Sequence, residues 1–243
     1  MIDSQRNAPT SPKSNPDFLT QIPEWEQCYK QSDAMVIRYT PADWKTAKAK
    51  FSEHDLQILG EPVMEDWEEP YMRVLAEIAT RNGGSILEVG YGMGISARFI
   101  QQRLVKEHII IEANHEVAAK AREWAQSCEV KTLILEGLWQ DVMSSIPGDS
   151  IDGILFDTYP LSEEELYQNH FSFFPHAFAK LKPGGVLTYY SDEVLGFSDV
   201  HLARLKAAGF GAEGIGGQVV AVTPPQECVY WKATTMLAPI VTK

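Results

Sequence analysis

Asp157 follows the apolar run Ile154-Leu155-Phe156 and precedes Thr158-Tyr159-Pro160. A carboxylate at the end of a buried strand is open to a ligand held beyond the sheet, where it can accept hydrogen bonds or a proton. Three other strand-like runs end in a similar way. Gly90-x-Gly92-x-Gly94 follows Leu87-Glu88-Val89, and glycines there permit a tight turn and let a ligand lie against bare backbone. Glu112 closes His108-Ile109-Ile110-Ile111, 24 residues after Glu88. An acid at that point can accept hydrogen bonds from both ribose hydroxyls of a nucleoside. Gly137-Leu138-Trp139 comes after the third run and offers a flat apolar wall and backbone groups for adenine. The glycine spacing lacks the wider gap of G-x-G-x-x-G, which weakens a pyrophosphate reading and leaves a plain strand–helix turn as the alternative.

The elements that must position these groups alternate regularly from about residue 69. Met72, Leu75 and Ile78 recur at helical spacing before Asn82-Gly83-Gly84. SILEV, HIIIE, KTLIL, IDGILF and VLTYYS read as strands. ISARFIQQRL, NHEVAAKAREWAQS, WQDVMSSI and SDVHLARLKAAGF read as helices. Asn114 is placed to cap the second of these helices. SEEELYQNHFSFFPHAFAKL reads as largely helical, with Ser162 as its cap and Pro175 expected to kink or divide it. Lys182-Pro183-Gly184-Gly185 reads as a turn. GQVVAVT and CVYWKATT read as two final strands around Pro224-Pro225, close enough to form an antiparallel hairpin. This pattern predicts an α/β fold: a doubly wound, mostly parallel seven-stranded sheet, Rossmann-like, with an antiparallel edge hairpin. Ligands of such sheets sit in the crevice beyond the carboxyl ends of the strands, where all four sequence features fall.

The 243 residues suffice for one large domain with a full core. Residues 1–20 are polar and Pro/Ser/Asn-rich and read as a disordered tail. Residues 21–68 carry Trp25, Tyr29, Ile37, Tyr39 and Trp44, and read as a lid segment on a domain spanning 69–243. The net charge of −12 argues against nucleic acid and suits a small cationic substrate, although an acidic surface also serves solubility. No apolar run approaches the roughly 20 residues that cross a bilayer, so no membrane is expected. Cys28, Cys128 and Cys228 form no metal or disulfide pattern. We therefore expect a cytoplasmic protein without a metal. The sequence leaves the oligomeric state open, a homodimer included.

The blocks ILGEPVMEDWEEPYM, LEVGYGMG, EGLWQDV, GILFDTYPLSEE, KLKPGGVLTYY and the ending PIVTK resemble the guanidinoacetate N-methyltransferase family, which belongs to the class I S-adenosylmethionine-dependent methyltransferases. The resemblance runs from about Trp44 to the end of the chain and is weak between Ser191 and His201. It implies N-methylation of a small guanidino compound, most directly guanidinoacetate to creatine, with S-adenosylmethionine as donor. It implies a cofactor site made by Trp44, Met64, Met72, Glu88, Gly90, Gly92, Glu112, Gly137, Leu138 and Asp157. It also implies that Glu68, just after Trp67, binds the acceptor together with Asp157, and that Tyr159 contacts it. From spacing alone Glu68 is equally a solvated helix-start charge, and Met64, Met72 and Trp44 read more readily as core residues.

The chemistry agrees with the resemblance. A guanidinium has a pKa above about 12, so its nitrogens carry almost no free lone pair, and the sulfonium donor is also cationic. Transfer needs negative charge beside the acceptor. One carboxylate grips two N–H groups side by side, and two carboxylates fix the plane and aim the third nitrogen. The resemblance implies that backbone groups of the loop after VLTYYS hold the acceptor's carboxylate; here that loop, Ser191-Asp192-Glu193-Val194-Leu195-Gly196, is shorter and carries two acids, which should repel guanidinoacetate's own carboxylate unless they point away. An acceptor with an additional amino group, such as free arginine, would find a partner in Asp192 or Glu193. The rival readings are an arginine side chain of a protein as acceptor, a nicotinamide-dependent dehydrogenase, and a cofactor-binding module without catalysis.

Overall fold

The computed structural model describes residues 37, 39–162, 165–166 and 168–243. The expected tail over residues 1–20 and the first part of the expected lid segment lie outside the described residues. The described chain opens with α1 (Pro41–Thr46), held by a reciprocal cap between Thr40 and Asp43. A small antiparallel sheet follows, β1 (Ala49–Phe51), β2 (Asp55–Ile58) and β3 (Glu61–Glu65). A 3₁₀ turn, Asp66–Glu68, then leads into α2 (Glu69–Ala79). The small sheet is a feature that sequence reading did not find: its strands are 3–5 residues long and only half alternate in burial.

The main sheet is built from β4 (Ser85–Val89), β5 (Glu107–Glu112), β6 (Thr132–Glu136), β7 (Ile151–Phe156), β8 (Leu181–Tyr189), β9 (Ile215–Ala221) and β10 (Thr235–Thr242). Its order is β6-β5-β4-β7-β8-β10-β9. The first five strands pair in parallel, and β10 runs against both β8 and β9. Helices α3 (Ile95–Gln101), α4 (His115–Ala125), α5 (Trp139–Val142), α6 (Asn169–Lys180) and α7 (Asp199–Ala207) connect the strands. Every residue of the central β4 is buried, because parallel strands with both faces covered see no water. Ile86 and Leu155 face one core layer with Leu75, Ile95 and Trp231. Leu87, Val89, Ile154 and Phe156 face the other, with Phe173 and Tyr189. Each such side chain contributes about 1.5–3 kcal/mol on burial.

Several expectations are corrected. The last strand is TMLAPIVT, and Cys228–Lys232 is not a strand: Cys228 and Trp231 are buried, but in an irregular loop. Their apolar character reported burial, which a loop can also supply. α6 begins only at Asn169, and Ser162 does not cap it. Pro175 lies inside α6 without ending it, where buried His170, Phe173, Phe174 and Ala177 hold the helix on the sheet. Lys182–Gly185 is drawn into β8 as a bulge: pairing passes from Ile151↔Leu181 directly to Gly153↔Val186, so four residues stand opposite Asp152 alone. Among the described residues no helix is long and apolar enough to cross a membrane.

Candidate active site

The residues that follow the strands are laced to their neighbours by one more rung of backbone bonding. The N–H of Gly90 donates to Ile111 O at 2.8 Å, that of Gly137 to Glu112 O at 2.9 Å, that of Asp157 to Val89 O at 2.9 Å, and that of Tyr190 to Phe156 O at 3.0 Å. The sheet itself therefore fixes where each side chain beyond its edge begins. Two adjoining cavities open there, sharing Val63, Asp157, Thr158, Tyr159 and Asn169.

The first cavity encloses about 800 Å³ out to its mouth. Gly90 and Gly92 form its floor, both at positive φ, and a side chain at Gly92 would press on Met64 Sδ. Glu112 lines it, oriented by the backbone N–H groups of Tyr91 at 2.9 Å and Asn114 at 2.8 Å. Burial pushes the Glu112 carboxyl above its ordinary range, and those N–H groups pull it back. Asn114 caps α4 as expected and also donates to Trp44 O and Ala47 O, which ties α1 to this edge. Trp44 roofs the cavity and stacks on Tyr159, centroids 4.9 Å apart and planes 15° apart. Gly137, Leu138, Trp139 and Met64 complete the wall. An acid fixed for two hydroxyls, a bare-backbone floor and an apolar slot fit a nucleoside with an amino-acid tail, the shape of S-adenosylmethionine.

The second cavity, about 720 Å³, is lined by Glu68, Asp157, Asp192, Tyr159, Tyr190, Tyr230 and apolar groups. Glu68 is 3% exposed, accepts from Tyr230 Oη at 2.7 Å and from Glu65 N at 3.0 Å. Its carboxyl is pushed up to about 8, by burial first and by the charge of Asp157 next, against the pull of the Tyr230 bond. Burial, helped by the charge of Glu88, pushes Asp157 up to about 7. Asp192 is also raised to about 7, by burial and then by Asp157. Acids of this kind, crowded and poorly hydrated, are poised to take a cation and to exchange a proton near neutral pH.

Two residues expected at the cofactor lie elsewhere. Glu88 is fully buried, accepts from Ser96 Oγ and pairs with His108 Nε2 at 2.8 Å. Period-two alternation puts it on the face of Ile86, under α3, where it lines neither cavity although its charge reaches Asp157. Met72 is fully buried among Tyr71, Leu75 and Ala76 on the core face of α2. Glu193, offered as an alternative to Asp192, also turns inward, accepting from Ser198 N at 2.8 Å and pairing with His201 Nδ1 at 3.2 Å. Sequence reading missed Tyr190, although it follows β8 as Asp157 follows β7. It also missed Asn169, which donates to Thr158 O. Tyr230 carried no signal, since it stands in a loop read as a strand.

A model of the family described as guanidinoacetate N-methyltransferase matches residues 39–243. The chain is similar to protein arginine N-methyltransferase 2 of Saccharomyces cerevisiae, 34% identical over 139 residues, or 53% of this chain and 32% of that protein. The namesake from Candida glabrata is 31% identical over 171 residues, 66% of this chain and 40% of that protein. The chain thus spans well under half the length of these curated relatives. Among solved structures it resembles a spermidine synthase in complex with the transition state analogue AdoDATO, with TM-score 0.58 and 15% identity over 80% of this chain and 72% of that one. It also resembles M. jannaschii TYW2 in complex with AdoMet, with TM-score 0.53 and 14% identity over 82% and 85%. At such identities the structural likeness bears on fold alone.

Proposed function

The chain belongs to the guanidinoacetate N-methyltransferase family of Rossmann-like, S-adenosylmethionine-dependent methyltransferases, and from that premise we propose that it methylates a guanidino nitrogen of a small-molecule acceptor. The observation that carries the proposal is the position of Asp157, which lines both cavities at once while Glu68 lines only the second. Family membership sets aside the dehydrogenase reading.

S-adenosylmethionine, when bound, supplies an electrophilic methyl group on a positively charged sulfur. Glu112 would hold its ribose, Gly90 and Gly92 its amino-acid portion, and Leu138 with Trp139 its base. Glu68 and Asp157 each accept N–H bonds from the guanidinium and fix its plane, leaving one nitrogen aimed across the shared wall. As that nitrogen gains a carbon it loses a proton, and Asp157, raised to about 7, takes it. Tyr230 is a positioning residue that orients Glu68. The segment from α1 to β3, with Trp44 stacked on Tyr159, acts as a lid that excludes water.

Guanidinoacetate, giving creatine, is the acceptor that the family's description supports. Arginine, free or in a protein, is the acceptor that the similarity to arginine methyltransferases supports. Incubating the protein with S-adenosylmethionine and each acceptor, and reading product masses, tests the proposal. A gain of one methyl on a guanidino nitrogen is the expected result, and transfer only to non-guanidino nucleophiles would overturn it.

A further inference from the structure

We propose that the second cavity selects a guanidino acceptor that carries an additional positive charge and no carboxylate close to its guanidinium, and that Asp192 is the residue that reads that charge. This rests on the reading of the site as a guanidino N-methyltransferase.

Two carboxylates satisfy one guanidinium, and Glu68 and Asp157 already supply them. Asp192 is a third acid on the same wall. Among the described residues, no lysine, arginine or histidine lines this cavity, so no cationic side chain offsets the three acids for an acceptor's carboxylate. The basic group that approaches Asp192 among the described residues is His170 Nδ1, 3.9 Å from Oδ2 and outside hydrogen-bond range. That histidine is fully buried, and burial drops its pKa to about 3, so it is neutral and leaves the Asp192 charge uncompensated. The neighbouring Glu193 turns its Oε1 to Ser198 N and His201 Nδ1 and does not line the cavity, so of the two adjacent acids only Asp192 faces it.

Asp192 itself holds a left-handed backbone, φ +54, which Asn, Asp and Gly adopt readily. One further observation points to a ligand. Tyr190 lines the same cavity, and its hydroxyl is buried without a hydrogen-bond partner among the described residues. An unpaired buried hydroxyl is costly unless a ligand pairs with it. A primary ammonium has three donors, enough for Asp192 and Tyr190 together. Guanidinoacetate presents a carboxylate there instead, and like charges in so crowded a site repel strongly.

The test compares kcat/KM for guanidinoacetate, L-arginine, an unbranched alkylguanidine, and ω-aminoalkylguanidines of matched length. We expect an aminoalkylguanidine to exceed guanidinoacetate and the alkylguanidine by at least about tenfold, the equivalent of one good charged contact. Asp192→Asn, which keeps a residue tolerant of positive φ, should collapse the preference for the amine over the alkyl compound, through KM more than kcat. A preference for guanidinoacetate, or an amine preference that Asp192→Asn leaves unchanged, overturns the inference while leaving guanidino methylation intact. No turnover of any guanidino compound by the wild-type protein overturns both.

Discussion

The backbone carbonyl oxygen of Asp157 lies 1.8 Å from the place where a Cβ at position 90 would stand, so the turn after β4 and the turn after β7 touch through a glycine. Gly90 also sits at φ +93, where any side chain is strained. Gly90→Ala must therefore push apart the two turns that carry the floor of the first cavity and the shared carboxylate. We expect a loss of at least about a hundredfold in turnover, since displacements near 1 Å cost that much in a positioned site. Activity set beside the melting temperature of the variant checks it.

Asp157→Asn keeps the shape of the side chain and removes its charge and basicity. The expected loss in kcat is on the order of 10³, within the usual range for a general base. Glu68→Gln, which cannot reach the first cavity, should raise KM for the acceptor at least about tenfold while the Kd for S-adenosylmethionine changes by less than about threefold. Titration calorimetry with S-adenosylmethionine separates the two effects, and equal losses of donor affinity in both variants would contradict the division of the cavities.

The raised acids give pH dependences of opposite sign. Glu68, at about 8, and Asp157 and Asp192, each at about 7, must be ionised to hold a cation. Acceptor KM should fall as pH rises from 6 to 8 and then level off. Stability without ligand runs the other way. Unfolded carboxyls lose their protons near pH 4, whereas the folded protein keeps these three protonated up to pH 7–8. Their contribution is fully present below pH 4 and is lost as pH climbs through 7–8. Glu68→Gln removes one of the three, so it should melt several degrees above wild type at pH 9 and within about a degree of it at pH 5. Melting curves across that range decide the point.

Trp44→Ala removes the ring stacked on Tyr159 and opens the roof of the first cavity. Stacked aromatic pairs contribute about 0.5–1.5 kcal/mol beyond the area they bury. We expect S-adenosylmethionine affinity to fall about tenfold or more, with Trp44→Phe recovering much of it.

The sheet and its strand-end groups were legible in the sequence because both follow short-range rules. Asp157, Glu112 and Gly90 each stand immediately after an apolar run, so finding the strand locates the residue. Glu88 came to the cofactor through the resemblance and stands inside the strand rather than after it: on a strand, neighbours point to opposite faces, and Glu88 pairs with His108 and lines neither cavity. Met72 reads from its spacing as core and from the resemblance as site, and only packing decides between them. Tyr230 was not legible, because it reaches Glu68 across 162 residues from an irregular loop, and no local period marks such a contact. Ser162 read as a cap because acids follow it, yet the helix waits until Asn169, which is tied to Thr158 instead.

The extra rung of backbone bonding beyond four of the strand ends bears on how this protein can change. Gly90, Gly137, Asp157 and Tyr190 hold their places through main-chain groups, so any route to a new donor must rebuild the sheet edge itself. Asp192 and Tyr230 stand on loops and make no such rung of their own, although the N–H of Leu237 in β10 donates to Glu193 O at 2.8 Å beside Asp192. Acceptor choice can drift by single substitutions there while the scaffold and its donor half stay constant, and laboratory selection for new guanidino acceptors should accumulate its first changes in those two loops.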